Sequence, residues 1–110
     1  MDYEISFYSE AVRQEIRDLP DSLVAWYLLV TRRMVAMGPN LGEPHTKAFG
    51  QGLFELRLKG AEGIARVFYC TLVGKRIVML HSFVKKSKRT PQRERETAEA
   101  RLKEVKNANT

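Results

Sequence analysis

The sequence predicts a single α+β domain, in which an antiparallel sheet packs on an N-terminal helical hairpin and a C-terminal helix follows the sheet. Three observations predict this fold class. Residues 52–83 contain three runs rich in aliphatic and aromatic residues, separated by short turns that contain glycine. Residues 9–37 carry apolar residues at helical spacing, with a break at Pro20. A length of 110 residues suffices for one modest core, so residues 1–110 are expected to form one domain.

The N-terminal third predicts one short strand and two helices. Residues 3–8 alternate between apolar and polar side chains, which is typical of a strand. Ser9 is a favourable N-cap for a first helix, which ends at Pro20. Asp21 or Ser22 can cap the second helix. That helix has a broad apolar stripe, which we expect to pack on the core face of the sheet and which consists of Leu23, Trp26, Tyr27, Val30, Met34 and Met37.

The first hairpin of the sheet predicts a pair of opposed arginines. A turn centred on residues 61–62 places Arg57 opposite Arg66, on the same face of two neighbouring strands. Like charges in this position repel each other, so the pair favours a site for a polyanion. The alternative is a purely structural pair, in which Glu55 or the solvated side-chain stems offset the repulsion.

The second hairpin can adopt one of two registers. A turn at residues 73–74 places His81 opposite Arg66 and extends the arginines into a row of three residues. A turn one residue later places Phe83 there instead. The first register also predicts an apolar core face, which consists of Phe54, Leu56, Leu58, Val67, Tyr69, Val78 and Leu80.

The remaining segments predict a loop and a C-terminal helix. Residues 38–51 are rich in turn residues and are expected to form a connecting loop with a solvated His45. Thr90 and Pro91 are typical of a helix start, and the helix is expected to run to about Lys106. Its apolar face is thin and has to dock on the body or on a partner, because it consists only of Ala98, Leu102 and Val105.

Composition restricts the function classes. The net charge of +6 and the pI near 9.7 favour an anionic partner, such as nucleic acid, an acidic protein or a membrane surface. No run of 18 apolar residues occurs, so a membrane span is not expected. The N-terminus has no signal-peptide pattern, and the single cysteine, Cys70, is expected to be a buried apolar residue. Cytoplasmic residence is therefore the default expectation.

The residues that could carry chemistry are mostly basic. Glycine motifs for nucleotide phosphates, a convincing zinc site, nucleophilic triads and close carboxylate pairs are not found in the sequence. Lys85, Lys86, Lys88 and Arg89 follow the last strand, and they form either a solvated surface or an extension of the arginine row for phosphate binding. Such a set could support metal-free RNA cleavage through the 2′-hydroxyl. His81 could transfer a proton there, or it could be a packed histidine.

Several segments together resemble one family. The segments GLFELRLKG, ARVFY and LHSFVKKSKRTP, followed by ERETAEARLKE, resemble the RelE/ParE superfamily of bacterial type II toxins, in its phage-derived HigB-like branch. The resemblance covers nearly the whole chain. It implies a RelE-like, microbial-ribonuclease-like fold and a cofactor-free mRNA interferase that cuts codons on the translating ribosome. It also implies a cognate antitoxin, often of the helix-turn-helix type, as the partner.

The resemblance further implies roles for individual residues. Arg66 would stabilise the scissile phosphate and Arg57 would bind it, while Lys59, or one of Lys85 and Lys86, would assist proton transfer or bind adjacent phosphates. Lys85, Lys86 and Lys88 match the C-terminal basic segment of the family. We expect the RNA to contact Lys86, Lys88, Arg89 and His81. RelE has a tyrosine near its C-terminus, but this sequence has none after Tyr69, so the general base stays open. A ParE-like inhibitor of DNA gyrase and a catalytically inactive nucleic-acid-binding relative are the alternatives.

Overall fold

The computed structural model describes residues 2–86 and 88–108, which form five strands and three helices. In chain order the elements are β1 (Glu4–Phe7), α1 (Glu10–Arg17), α2 (Asp21–Met37), β2 (Thr46–Gly50), β3 (Leu53–Gly60), β4 (Gly63–Leu72), β5 (Arg76–Lys85) and α3 (Gln92–Ala108). The strands form one sheet in the order β1-β5-β4-β3-β2. β1 is parallel to β5, and the other neighbours are antiparallel, as the meander predicts. Within the described part of the chain, no helix is long and apolar enough to cross a membrane.

The two N-terminal helices form the predicted hairpin on one face of the sheet. The Ser9 side chain caps α1, because its Oγ accepts a hydrogen bond from the Val12 amide at 3.2 Å. The prediction that Asp21 or Ser22 caps α2 is wrong, because the cap comes from another element. The Ser22 amide donates to Glu62 Oε1 at 2.8 Å, from the turn between β3 and β4. This contact joins the hairpin to the tip of the meander.

The sheet has an apolar core on each face. The first lies under the helical hairpin and includes Leu23, Tyr27, Val30, Met34, Leu56, Leu58, Val67, Tyr69 and Met79. The second lies under α3 and includes Leu53, Phe68, Cys70, Val78, Leu80, Ala98 and Leu102. Cys70 is fully buried as predicted, and burial raises the pKa of its thiol to about 11. Met37, by contrast, is exposed, so the predicted helical stripe is one residue too long.

Of the two registers considered for the second hairpin, the one that extends the row to His81 is wrong, and the alternative pairing of Arg66 with Phe83 is confirmed, although the turn differs from both. Its connection spans residues 73–75, and the pairing of β4 with β5 shifts by one residue between Phe68 and Tyr69. Arg66 therefore lies opposite Phe83, and His81 lies opposite Phe68. The three-residue connection, one residue longer than predicted, shifts Val78 and Leu80 from the predicted core face to the core under α3, because a one-residue slip reverses the faces of a strand. The bulge then adds a second shift, which brings Arg66 opposite Phe83.

Residues 38–51 contain a strand that was predicted as loop. β2 pairs with β3, with Lys47 opposite Glu55 and Ala48 opposite Phe54. His45 precedes this strand and is half-buried, with its ring 5.8 Å from that of Trp26, so the expectation of a solvated side chain is wrong. α3 begins and ends within two residues of its predicted limits, which is the usual scatter for helix ends.

Candidate functional site

The face of the sheet that is partly covered by α3 contains an open groove. We call it the arginine groove. Its volume is about 580 Å³, and it lies between β2, the central strands and the first half of α3. It is lined by Lys47, Phe49, Glu55, Arg57, Arg66, Phe68, Lys85, Lys88, Thr90, Gln92, Arg95, Glu96 and Glu99. Six of these residues are basic and three are acidic, so the groove favours an anionic ligand.

The floor of the groove contains the predicted arginine pair. Arg57 on β3 lies directly opposite Arg66 on β4, which confirms the predicted register of the first hairpin. Glu55 is buried two residues before Arg57, with its side chain only 3% exposed. Its Oε1 lies 3.4 Å from Arg57 Nε and 3.5 Å from Arg66 Nε. A single carboxylate therefore compensates both guanidinium groups.

The two arginines differ in their surroundings. The Arg57 side chain is 27% exposed, and its Nη1 also donates to Glu43 Oε1 at 3.0 Å. Arg66 is 13% exposed, and among the described residues its buried Nε meets Glu55 at ion-pair distance without hydrogen-bond geometry. Burial lowers the pKa of Arg66, Glu55 partly opposes that shift, and the guanidinium remains charged at neutral pH. Arg66 is thus a preorganised cation in a sheltered position.

Lys85 ends β5 and lines the groove beside the arginines. Desolvation lowers the pKa of its ammonium group, and the positive charge of Arg66 lowers it further. The nearby carboxylate of Glu55 opposes both effects. The amino group lies beside the arginine pair, where it can exchange a proton with a ligand of the groove.

The structure brings four of the predicted site residues together and leaves four outside. Arg57, Arg66, Lys85 and Lys88 line the arginine groove. Lys59 is exposed near the tip of the meander, opposite Ile64. Lys86 borders a shallow depression that shares Lys85 and Lys88 with the groove, and Arg89 and His81 are absent from both linings. Lys86 therefore adjoins the groove without lining it.

The side chain of His81 packs between β5 and α3. Its Nε2 lies 2.8 Å from Glu94 Oε1 in the first turn of α3, and its ring stacks on Phe83 at 6.0 Å between centroids. The side chain is only 12% exposed. These contacts favour the packed, hydrogen-bonded interpretation, in which His81 joins β5 to α3.

The sequence analysis missed several groove residues. Lys47 and Phe49 come from β2, and Arg95 comes from α3. A signal was present, because Lys47 and Phe49 alternate with Ala48 directly before a Gly-Gln-Gly turn. The hydroxyl of Thr90, predicted as a helix cap, donates to Glu55 Oε2 at 3.4 Å.

The groove can bind a phosphate and stabilise negative charge that develops on it. Arg57, Arg66 and Lys85 line the same part of the groove, and guanidinium groups match phosphate oxygens well. In residues 2–86 and 88–108, no three His, Cys, Asp or Glu side chains cluster in a way that could hold a metal ion.

Comparisons with known proteins agree with this description. The family model described as phage-derived protein Gp49-like matches residues 14–103. The fold is similar to that of a chain in the crystal structure of the archaeal RelE–RelB complex from Pyrococcus horikoshii OT3. The TM-score is 0.56 at 18% sequence identity, and the match covers 82% of this chain and 100% of the archaeal one. At this identity the likeness establishes a shared fold, and it confirms the predicted RelE-like architecture. No curated protein matches the sequence.

Proposed function

Because this chain belongs to the phage-derived Gp49-like family, within the RelE/HigB-like toxins, we propose that it is a toxin that cleaves mRNA on the translating ribosome. Family membership agrees with the predicted resemblance. The observation that carries the proposal is the opposed pair Arg57 and Arg66, held by buried Glu55 on the floor of a basic groove. A fold that only needed stability would not require two like charges at this position.

The proposed reaction is an internal transesterification of RNA. The 2′-oxygen of one ribose attacks the adjacent phosphorus, and the bond from phosphorus to the 5′-oxygen breaks. The products are a 2′,3′-cyclic phosphate and a free 5′-hydroxyl. Arg57 and Arg66 supply fixed positive charge for the phosphorane, whose negative charge exceeds that of the substrate.

Proton transfer is assigned to Lys85. In its neutral form the amine takes the proton of the 2′-hydroxyl, and the surroundings that lower its pKa favour that form. The resulting ammonium group can return the proton to the departing 5′-oxygen. This assignment does not require the tyrosine that the sequence lacks after Tyr69.

We propose an antitoxin as the partner that blocks the groove. α3 forms one wall, and it is tied to the body by more than its thin apolar face. Tyr8 donates to Glu104, and Arg101 donates to the Leu80 carbonyl, each at 2.8 Å. Covering the groove therefore costs less than displacing α3. Hydrogen exchange on the complex tests this: residues 92–108 should keep their protection, and lost protection would instead establish displacement.

The toxin proposal is tested with single variants at matched protein level. Arg57→Ala and Arg66→Ala should each relieve growth arrest, because removing one charge that stabilises the transition state costs about 10²–10³ in rate. Lys85→Ala should relieve it as well, because losing the group that transfers the proton costs about 10²–10⁴ in rate. Arg33→Ala removes an exposed arginine from α2, on the other face of the sheet, and is the matched control. Urea denaturation establishes that the variants fold. Full toxicity in all of the folded groove variants would refute the proposal, and inhibition of purified gyrase would then point to the ParE-like alternative.

A further inference from the structure

The arginine groove continues past Phe49 into a second cavity. This cavity has a volume of about 440 Å³ and lies between the turn that joins β2 to β3 and the second half of α3. Phe49, Arg95 and Glu99 border both cavities, and Lys103 and Lys106 add cations to the second one. A polyanionic chain that contacts the arginine pair can therefore continue along the ring of Phe49.

A β-bulge holds the ring of Phe49 at this junction. The register between β2 and β3 shifts by one residue between Ala48 and Gly50, so Phe49 is the extra residue of the bulge. Gly50 has a φ of 86°, which glycine adopts without strain. The half-buried ring packs against Phe68, with 6.0 Å between the centroids. The ring is thus fixed on one side and borders the groove on the other.

Two cations lie over the ring of Phe49. The guanidinium carbon of Arg95 is 4.6 Å from the ring centroid, and the Lys47 ammonium nitrogen is 5.4 Å from it. Arg95 is only weakly held, because its side chain is 44% exposed and its partner Glu99, at 3.4 Å, is exposed as well. A flat ligand can therefore take the place of Arg95 on the ring.

We propose that Phe49 is a stacking platform for one unpaired nucleobase of a single-stranded RNA. The inference rests on the proposed function, since the same strand places its phosphate on Arg57 and Arg66. Aromatic side chains in basic grooves bind bases through their π-faces, while neighbouring cations bind the backbone. When the base stacks on Phe49, the displaced guanidinium of Arg95 can stack on the outer face of the base.

The first measurement is the affinity for a single-stranded hexanucleotide with 2′-O-methyl groups, which cannot be cleaved through the 2′-hydroxyl. Phe49→Leu keeps an apolar side chain but removes the π-face, and it should weaken binding at least about fivefold. Leu28→Ala removes an exposed apolar side chain from α2 and should bind like the wild type. Phe49→Trp should bind as tightly as the wild type, with fluorescence that the RNA quenches. The native Trp26 packs against the core under the helical hairpin, so its fluorescence in the wild type gives the background signal.

A second measurement separates stacking from a structural role of the ring. Hexanucleotides with a single abasic position are compared in the wild type and in Phe49→Leu. At one position the wild type should lose at least about fivefold in affinity, whereas the variant should lose almost nothing. Equal losses of affinity in the wild type and in Phe49→Leu, or no binding of the hexanucleotide by the wild type, would overturn the inference. Because this RNA cannot be cut, a protein that binds it through Phe49 but cleaves no mRNA would refute the proposed function and leave the platform intact.

Discussion

At the scale of single residues, Glu55 determines whether two arginines can share the floor of the groove. Directly opposed side chains on neighbouring strands lie about 5 Å apart, and at an effective dielectric constant near 20 the repulsion of two unit charges there is about 3 kcal/mol. Glu55 Oε1 lies within 3.5 Å of a guanidinium nitrogen of each arginine, so its attraction offsets this repulsion. The carboxylate also accepts a hydrogen bond from Arg57, whereas it meets Arg66 through charge alone.

The role of Glu55 leads to a stability prediction. Glu55→Gln keeps the shape of the side chain but removes its charge, and it should lower the free energy of unfolding by roughly 1–3 kcal/mol. In an Arg66→Met background the loss should be smaller, because less charge is left uncompensated. Urea denaturation at neutral pH measures both values. Glu99→Gln, an exposed change in the same groove, should stay within about 0.5 kcal/mol. Equal losses from Glu55→Gln in the two backgrounds would contradict this role.

At the scale of elements, the first hairpin was predictable and the second was not. Gly60 and Gly63 bracket a two-residue turn, so the pairing of Arg57 with Arg66 followed from the sequence. The second hairpin contains a bulge at Leu80, within a run of apolar residues that carries no glycine or proline. Both faces of this strand are buried, one under the helical hairpin and one under α3, so apolar alternation could not select the register.

The groove itself was only partly predictable. Its floor comes from adjacent strands, whose pairing depends on local turns. Its walls come from β2 and α3, which are separated by more than forty residues in sequence. Phe49 and Arg95 meet only through tertiary packing, so neither residue showed its role in a local pattern. Sequence reasoning therefore found the cations on the floor of the groove but missed the aromatic wall.

The docking of α3 on the sheet depends on its buried apolar side chains, which leads to a stability prediction. Leu102 is a buried anchor of α3 on the sheet, with 7% exposure. Leu102→Ala should lower the free energy of unfolding by about 2–3 kcal/mol, near the lower end for a buried leucine, because the site lies at the edge of the core. Hydrogen exchange should accelerate first in residues 92–108. Lys103→Ala, an exposed neighbour, is the control and should change stability little. A uniform acceleration across the sheet would show that α3 does not open separately.

At the scale of the whole molecule, one face of the sheet forms the main core and the other face carries the groove. The helical hairpin covers one face and forms the larger apolar core. The other face carries a smaller core under α3 and, beside it, the basic groove. A net charge of +6 favours an anionic partner in general, and in the proposed function the groove determines where a phosphate is held. Because the groove and the main core lie on opposite faces, we expect substitutions of groove side chains to leave the main core intact.

The most direct test of the central claim is primer extension on a reporter mRNA after brief induction of the protein. The assay is performed with an intact start codon and with the start codon removed. The proposed ribosome-dependent interferase predicts new cuts within codons that disappear when translation is prevented, and that are absent for Arg66→Ala. Cuts that persist without translation would indicate a free ribonuclease. Growth arrest without any cuts would contradict the RNA-cleaving function of the arginine groove.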